Sequence, residues 1–214
     1  MRQGLGRSLG RGMMRAAALA GVWLCLGMGA ALAEPPSAEA ALTDRVLGDP
    51  AAPVTIFDFS SLTCPHCADF HTKTLPELKS RYIDTGKLKV VFRDFPLDRN
   101  ALHAAMLARC APPARYYGFL DVLFKSQATW GRAADPKKAL AQIGALGGVL
   151  AADFEACLAM KPLEDALIQR TYEAQKRFGI QSTPTFVFND GAEKIEGALP
   201  LEKFQEIIDR LLKP

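Results

Sequence analysis

Two cysteines separated by two residues, Cys64 and Cys67, are the residues of this chain best suited to chemistry. A Cys-x-x-Cys pair serves either as a redox-active dithiol or as half of a zinc site, and a zinc site needs two further ligands. The sequence contains no second Cys-x-x-Cys and no His-x-x-x-His that could supply them. An apolar run precedes the pair and a helical pattern follows it, which favours a redox-active dithiol.

Cys64 is the expected nucleophile because it precedes a helix whose first residue is Pro65. Proline suits that position, where its missing N–H would be unpaired anyway. The free N–H groups and the positive dipole end of a helix start stabilise an anion, and the thiolate is the reactive form of cysteine. A protonated His66 would add positive charge, so we expect His66 to help lower the pKa of Cys64. Cys67 lies one turn inside the helix and is expected to be shielded.

The elements that flank the pair read as a strand, a helix and a second strand. The apolar runs at 54–59 and 88–92 predict buried strands, and the helix between them makes the two strands parallel. Pro76 is expected to interrupt that helix, with Thr74 capping a second segment. Residues 34–53 are polar and punctuated by proline, and they predict only a short edge strand.

A helical pattern then occupies residues 97–163, where apolar residues recur every three to four positions between Pro and Gly breaks. We interpret it as a helical bundle inserted between the two halves, 54–96 and 164–214, of an α/β domain. His103 is predicted to lie in the core, whereas His71, one turn after the cysteine pair, is predicted to be a surface residue. The aromatic side chains of the insert follow helical spacing and are expected to be core residues: Tyr116, Tyr117, Phe119, Phe124 and Trp130.

The second half of the α/β domain begins with a long helix and ends with another. The first of these is predicted to end at Gly179, and Asn189-Asp-Gly191 is typical of a hairpin turn between two short strands. The order β-α-β, helices, α-β-β-α predicts an α/β thioredoxin fold with an inserted helical bundle.

Residues 1–33 have the three parts of a secretory signal peptide. Four arginines come first without any acid, an apolar run follows, and Ala31-Leu-Ala33 offers small residues for cleavage. A retained membrane anchor is the alternative. Cleavage would remove Cys25 and leave 22 Lys and Arg against 23 Asp and Glu. The remaining chain therefore has no basic excess that would favour nucleic acid or anionic membranes.

The exported chain would keep four cysteines in a compartment where disulfides persist. Besides the Cys-x-x-Cys pair, these are Cys110 and Cys157, which lie on two predicted helices of the insert. We expect the two to form a structural disulfide, and two buried free thiols are the alternative.

The signal peptide, the Cys64-Pro-His-Cys67 motif, the helical insert and a Thr183-Pro184 turn before a strand together resemble the DsbA-like periplasmic thiol–disulfide oxidoreductases. The resemblance covers residues 45–212. It implies that the Thr183–Pro184 peptide bond is cis and packs beside the cysteines. The backbone of Thr183 could then pair with a bound peptide as an added strand.

The resemblance also gives Asp58 a role. Thioredoxin-like folds often keep an acid on the strand that leads to the cysteines, and Asp58 lies six residues before Cys64. A carboxylate in a buried strand is unfavourable unless it is paired. We therefore expect Asp58 to accept a proton from Cys67; the alternative is that it points to a solvated face of the strand.

The activity implied by the resemblance is the introduction of disulfide bonds into reduced, unfolded exported proteins in the periplasm, without a cofactor. A DsbB-type membrane protein would reoxidise the enzyme. A reductase or isomerase on the same fold is the alternative, because threonine before the proline is common in isomerases. Such isomerases dimerise through an added amino-terminal domain, for which the residues before Val54 leave no room, so we expect a monomer. A metal-binding carrier that uses the two cysteines and a histidine is a third hypothesis.

Overall fold

The computed structural model describes residues 36–213. The predicted signal peptide and Cys25 lie outside these residues. A short helix, α1 (Ala38–Leu42), begins after Ser37, whose side chain accepts a hydrogen bond from the N–H of Ala40. The sequence interpretation of residues 34–53 missed this helix, which combines alanine, a strong helix former, with a serine cap. Within 36–213, no helix combines the length and the apolar character needed to span a membrane.

Five strands of the described chain form one mixed sheet in the order β1-β3-β2-β4-β5. The central strand β2 pairs in parallel with β3, as predicted, and antiparallel with β4. A turn at residues 189–191 with positive φ angles joins β4 to β5, which confirms the predicted hairpin. The strands are β1 (Val46–Leu47), β2 (Val54–Ser60), β3 (Leu88–Asp94), β4 (Thr185–Phe188) and β5 (Glu193–Glu196).

The helix that follows β2 runs without a break from Pro65 to Ile83, so the predicted interruption at Pro76 is wrong. It consists of α2 (Pro65–Asp69), α3 (Leu75–Leu78) and the π-helical turns Phe70–Thr74 and Lys79–Ile83. Thr74 makes no side-chain cap. A proline ring clashes with the carbonyl four residues before it in a regular α-helix, and the wider turn that precedes Pro76 accommodates the ring instead.

Helices fill the chain between β3 and β4, as predicted for the insert. Helix α9 ends at Gly179, which has the left-handed φ of 63° that glycine tolerates. A final helix follows β5, which completes a thioredoxin fold with an inserted helical bundle. The helices are α4 (Arg99–Cys110), α5 (Tyr116–Lys125), α6 (Gln127–Trp130), α7 (Pro136–Leu146), α8 (Ala151–Leu158), α9 (Lys161–Phe178) and α10 (Leu201–Leu211).

The insert and the cysteine pair share one hydrophobic core, because Cys64 and Cys67 pack with side chains from α4 and α5. The aromatic residues expected in this core are buried, except that Tyr117 is partly exposed and donates its hydroxyl to the carbonyl of Val90 at 2.8 Å. His103 is only half-buried and lies near charged side chains, so its predicted core position is wrong. The position of the bundle therefore fixes the surroundings of both cysteines.

A buried ion pair, which the sequence analysis did not identify, ties the insert to the sheet. Arg109 of α4 donates from Nε to Asp94 at the end of β3 at 2.7 Å, and both side chains are almost fully excluded from solvent. The same guanidinium donates to the carbonyls of Ala41 and Thr43. One side chain thus connects the insert, the sheet and the segment that follows α1.

Candidate active site

The cysteine pair lies at the start of α2, after the short loop that follows β2. Cys64 is the residue before the first residue of α2, Pro65, and its own N–H donates to the carbonyl of Ser61 at 3.1 Å. Both cysteines are free thiols. Cys64 retains 7% of its accessible surface, whereas Cys67 has none. An external thiol can therefore approach Cys64 but not Cys67.

The loop before β4 lies against Cys64. The Thr183–Pro184 peptide bond is cis, and the Cys64 thiol donates to the carbonyl oxygen of Thr183 at 3.4 Å. The sequence analysis selected both the cysteine pair and the Thr183–Pro184 turn. The structure brings them into contact although Cys64 and Thr183 are 119 residues apart in the sequence.

The pKa of Cys64 is lowered to about 5. The largest cause is a hydrogen bond from the Cys67 side chain; the Thr183 side chain and the backbone N–H groups of Cys67 and His66 also contribute, against the opposing effect of burial. The two backbone N–H groups are the donors that a helix start provides to an anion. His66 itself is exposed. A contribution from its imidazole therefore stays a prediction.

The pKa of Cys67 is shifted the other way. Burial raises it most, and the neighbouring Cys64 raises it further, while hydrogen bonds from Ser60 and Ser61 act in the opposite direction. At neutral pH the reduced pair consequently consists of a Cys64 thiolate and a Cys67 thiol. This difference makes Cys64 the sulfur suited to attack a disulfide and Cys67 the sulfur that keeps its proton.

Asp58 is fully buried on β2, and its two carboxylate oxygens have different partners. Oδ1 accepts from the hydroxyl of Ser60 at 2.5 Å, and Oδ2 lies 2.7 Å from Nε2 of His71. The alternative in which Asp58 faces solvent is therefore wrong. Ser60 is itself buried, and it is one of the two residues that act against the raised pKa of Cys67.

The predicted surface position of His71 is wrong. The residue is 7% exposed, and its ring stacks on Phe124 of α5 at 4.0 Å between centroids. The reason is helical spacing: His71 follows Cys67 by four residues, so both lie on the face of the helix that points into the protein. Burial of Cys67 was therefore the signal from which burial of His71 could have been predicted.

Gln127 is a further residue of the site that the sequence analysis missed. Its side-chain amide donates to the carbonyls of Leu62 at 2.9 Å and Cys64 at 3.0 Å. These bonds attach α6 to the loop that carries Cys64. No sequence signal identifies Gln127, because its partners lie more than 60 residues away and are backbone atoms.

We expect Gln127→Leu to lower the free energy of unfolding by about 1–2 kcal/mol, because two hydrogen bonds to the partly buried carbonyls of Leu62 and Cys64 are lost. Gln169→Leu is the matched control: Gln169 is exposed and donates only to Glu173 on the same helix, so its replacement should change stability by less than about 0.5 kcal/mol. Urea denaturation of the reduced proteins measures both. Equal stability of the two variants would contradict the assignment.

No group of three or more His, Cys, Asp or Glu side chains within residues 36–213 is arranged to hold a metal ion. The structure joins the other two cysteines of this region, Cys110 of α4 and Cys157 of α8, by a disulfide. The cysteine pair of α2 is therefore the only one in this region that is free to exchange.

Comparison with known proteins agrees with this arrangement. Residues 40–210 match the family model described as thioredoxin. A Rickettsia bellii protein, whose name assigns it provisionally to the protein-disulfide oxidoreductases, is 35% identical over 147 residues, which is 68% of this chain and 57% of that protein. Disulfide bond formation protein D of Bacillus subtilis is 26% identical over 182 residues, with 78% and 77% of the two chains covered.

The solved structures include a similar one from Wolbachia pipientis. Its α-DsbA1 protein superposes with a TM-score of 0.72 at 34% identity, and the match covers 84% of this chain and 94% of that one. The chain spans little more than half the length of the Rickettsia bellii relative.

Proposed function

This chain belongs to the DsbA-like proteins of the thioredoxin family, and on that basis we propose that it is a protein-disulfide oxidoreductase that acts through Cys64 and Cys67. The observation that carries the proposal is the unequal ionisation of the pair. The pKa of Cys64 is lowered to about 5 at the mouth of the site, while the pKa of the enclosed Cys67 is raised.

The reaction transfers a disulfide to a substrate in two exchange steps. A substrate thiolate attacks Cys64 of the oxidised enzyme, the Cys64–Cys67 bond breaks, and the Cys67 sulfur leaves with the electron pair and takes up a proton. A second substrate thiolate then attacks the substrate sulfur of the mixed disulfide. Cys64 leaves as a thiolate, so that two substrate thiols are oxidised and the enzyme disulfide is reduced.

The same ionisation supports oxidation of the substrate as the proposed direction of net transfer. An ordinary cysteine has a pKa of about 8.5, whereas the pKa of Cys64 is about 5 in the reduced protein. Ionisation therefore stabilises the reduced form at neutral pH, and this contribution is lost as the pH falls through about 5. A stabilised reduced form makes the oxidised form a strong oxidant, which favours an oxidase over a reductase.

The proposed substrates are reduced, unfolded exported proteins, and the proposed location is the periplasm. The backbone of Thr183 lies beside the Cys64 sulfur, where an extended peptide could pair with it as an added strand. A DsbB-type membrane protein is the proposed partner for reoxidation, and we propose that the enzyme acts as a monomer.

Two measurements on the wild-type protein test the proposal. The ultraviolet absorbance of the thiolate, with Cys64→Ser as the blank, should titrate with a midpoint near pH 5. Equilibration with glutathione at neutral pH should give a redox potential well above the value of about −270 mV for thioredoxin. The oxidised protein should also introduce disulfides into a reduced, unfolded test protein.

Other results would support other functions. A Cys64 pKa in the ordinary range together with a potential near about −270 mV would indicate a reductase. Rearrangement of wrong disulfides without net oxidation would indicate an isomerase. Thiols that do not react with disulfides but bind one equivalent of a metal would indicate a carrier.

A further inference from the structure

A groove of about 770 Å³ lies on the face of the sheet opposite the helix that carries the cysteines. The alternation of side chains along β2 creates the two faces: Ile56 packs with Phe70 of that helix, whereas Phe59 packs with Ala174 of α9. Neither cysteine of the pair nor the loop with the cis peptide bond borders the groove. Its volume is that of a small-molecule binding site, and the proposed exchange reaction gives it no role.

Three aromatic side chains line the groove, and two guanidiniums lie over them. The rings of Phe59 and Phe178 are 5.8 Å apart between centroids, and Phe57 is half-buried beside them. The guanidinium of Arg93 lies 5.0 Å from the centre of the Phe57 ring, and that of Arg177 lies 4.8 Å from the centre of the Phe178 ring. A surface of this kind favours a ligand that joins an apolar body to a negative charge.

The charges that line the groove leave one guanidinium without a counter-charge. Arg109 pairs with Asp94, and Arg93 pairs with Asp44. Arg170 of α9 lies beside both pairs but forms no ion pair with a carboxylate of residues 36–213. Five basic side chains line the groove against four acidic ones, an excess of one positive charge: Arg93, Arg109, Arg170, Lys176 and Arg177 against Asp44, Asp94, Glu173 and Asp190.

The surroundings of Arg170 make this excess unfavourable. Its side chain is half-buried, and it donates to the carbonyl of Leu42 at 2.8 Å. Burial lowers the pKa of Arg170, and the neighbouring guanidiniums of Arg109 and Arg93 lower it further. An arginine keeps its charge even so. A bound anion would therefore relieve a repulsion that the folded chain alone leaves in place.

Asp94 adds a buried acceptor to the same lining. Its side chain is 3% exposed, and Oδ2 lies 2.7 Å from Nε of Arg109. Oδ1 has no hydrogen-bond partner in the part of the chain that the structure describes. A buried carboxylate oxygen without a donor is unfavourable. A ligand N–H or a water molecule that reaches this end of the groove can supply the donor.

We propose that the groove binds a monocarboxylate with an apolar body, whose carboxylate pairs with Arg170 and whose body lies on Phe57 and Phe178. A guanidinium presents two parallel donors that fit a carboxylate. One negative charge cancels the excess in the lining, whereas a phosphate dianion would be repelled by the four carboxylates. The carboxylate comes either from a free acid or from the carboxyl end of a peptide chain, whose last N–H is a donor for Oδ1 of Asp94.

Isothermal titration calorimetry of the oxidised wild-type protein tests the ligand class. 3-Phenylpropionate should bind at one site with a Kd of about 0.1–1 mM. Its neutral analogue 3-phenylpropanamide and the short acid propionate should each bind about 10-fold more weakly or less. N-acetylphenylalanine distinguishes the sources: tighter binding than that of 3-phenylpropionate supports a peptide carboxyl end, and weaker binding supports a free acid. Tighter binding of phenyl phosphate than of 3-phenylpropionate would overturn the assignment to a monocarboxylate.

Three variants locate the site. Arg170→Met should weaken 3-phenylpropionate binding about 10-fold or more. Arg81→Met is the matched control, because Arg81 is exposed and pairs only with Glu77, and its affinity should equal that of the wild type. Glu173→Gln removes one negative charge from the lining and keeps the acceptor for Gln169, so binding should tighten about 2- to 3-fold.

A gain in affinity cannot result from misfolding, so Glu173→Gln decides the matter if Arg170→Met is unstable in a thermal melt. Absence of binding to the wild type would overturn the inference. Unchanged affinity in folded Arg170→Met, or in Glu173→Gln, would do the same. Each of these results leaves the proposed thiol–disulfide exchange untouched, because the groove and the cysteine pair share no residue.

Discussion

Cys64→Ser will reduce thiol–disulfide exchange to the uncatalysed rate, whereas Cys67→Ser will still attack a disulfide but will accumulate as the mixed disulfide. The difference follows from exposure and ionisation. Cys64 is the sulfur that an external thiol can reach, and its pKa is about 5. Cys67 is enclosed, and in the proposed mechanism it displaces the substrate sulfur from Cys64 or is displaced from it. Removing Cys64 therefore removes the first bond to substrate, while removing Cys67 removes only the release step.

Mass spectrometry of each variant after incubation with oxidised glutathione measures this difference. Cys67→Ser should carry one glutathione at position 64, and Cys64→Ser should carry none.

Comparison of Cys67→Ala with Cys67→Ser tests the cause of the lowered pKa of Cys64, because the Cys67 side chain is its largest cause. The pKa of Cys64 should rise more in Cys67→Ala than in Cys67→Ser, whose hydroxyl can still donate. Sustained turnover by Cys64→Ser would contradict the assignment of the nucleophile.

The parts of the site that the sequence predicted are those specified by neighbours along the chain. The strand, the proline at the first helical position and the spacing of Cys64 and Cys67 are local features, and they place a thiol at a helix start. The order of strands and helices also predicted the thioredoxin fold, because few connections satisfy a β-α-β unit followed by a hairpin.

The residues that were missed depend on contacts between distant segments. His71 was predicted to be a surface residue of the helix, whereas its spacing from Cys67 puts it on the buried face. Gln127 and Arg109 bind backbone carbonyls far away in the sequence. Because every residue has a backbone carbonyl, the types of the residues do not indicate which carbonyl is bound. Side-chain periodicity predicts which face of a helix is buried, but it does not predict which polar group that face meets.

Arg109 is a further residue whose loss should strongly destabilise the fold. Its guanidinium pairs with Asp94 and also donates to two carbonyls near α1, while the ring of Tyr116 lies 5.1 Å away. Arg109→Met fills a similar volume but leaves the Asp94 carboxylate buried without a counter-charge. We expect the free energy of unfolding to fall by about 3–5 kcal/mol, the effect of removing one partner from a buried pair.

A second substitution shows how much of this loss in the free energy of unfolding comes from the missing ion pair and how much comes from the unpaired carboxylate of Asp94. In Arg109→Met/Asp94→Leu neither charge is present, so most of the loss should be recovered, because well-packed apolar replacements of buried ion pairs are often neutral. Lys125→Ala is the control, since Lys125 pairs with Asp121 on an exposed helix face and should contribute less than about 1 kcal/mol. Urea denaturation with the disulfide intact measures all three. If Arg109→Met is as stable as the control, the ion pair does not hold the insert on the sheet. If the double variant is no more stable than Arg109→Met, the loss of stability comes from the carbonyl contacts of Arg109 and not from the unpaired carboxylate of Asp94.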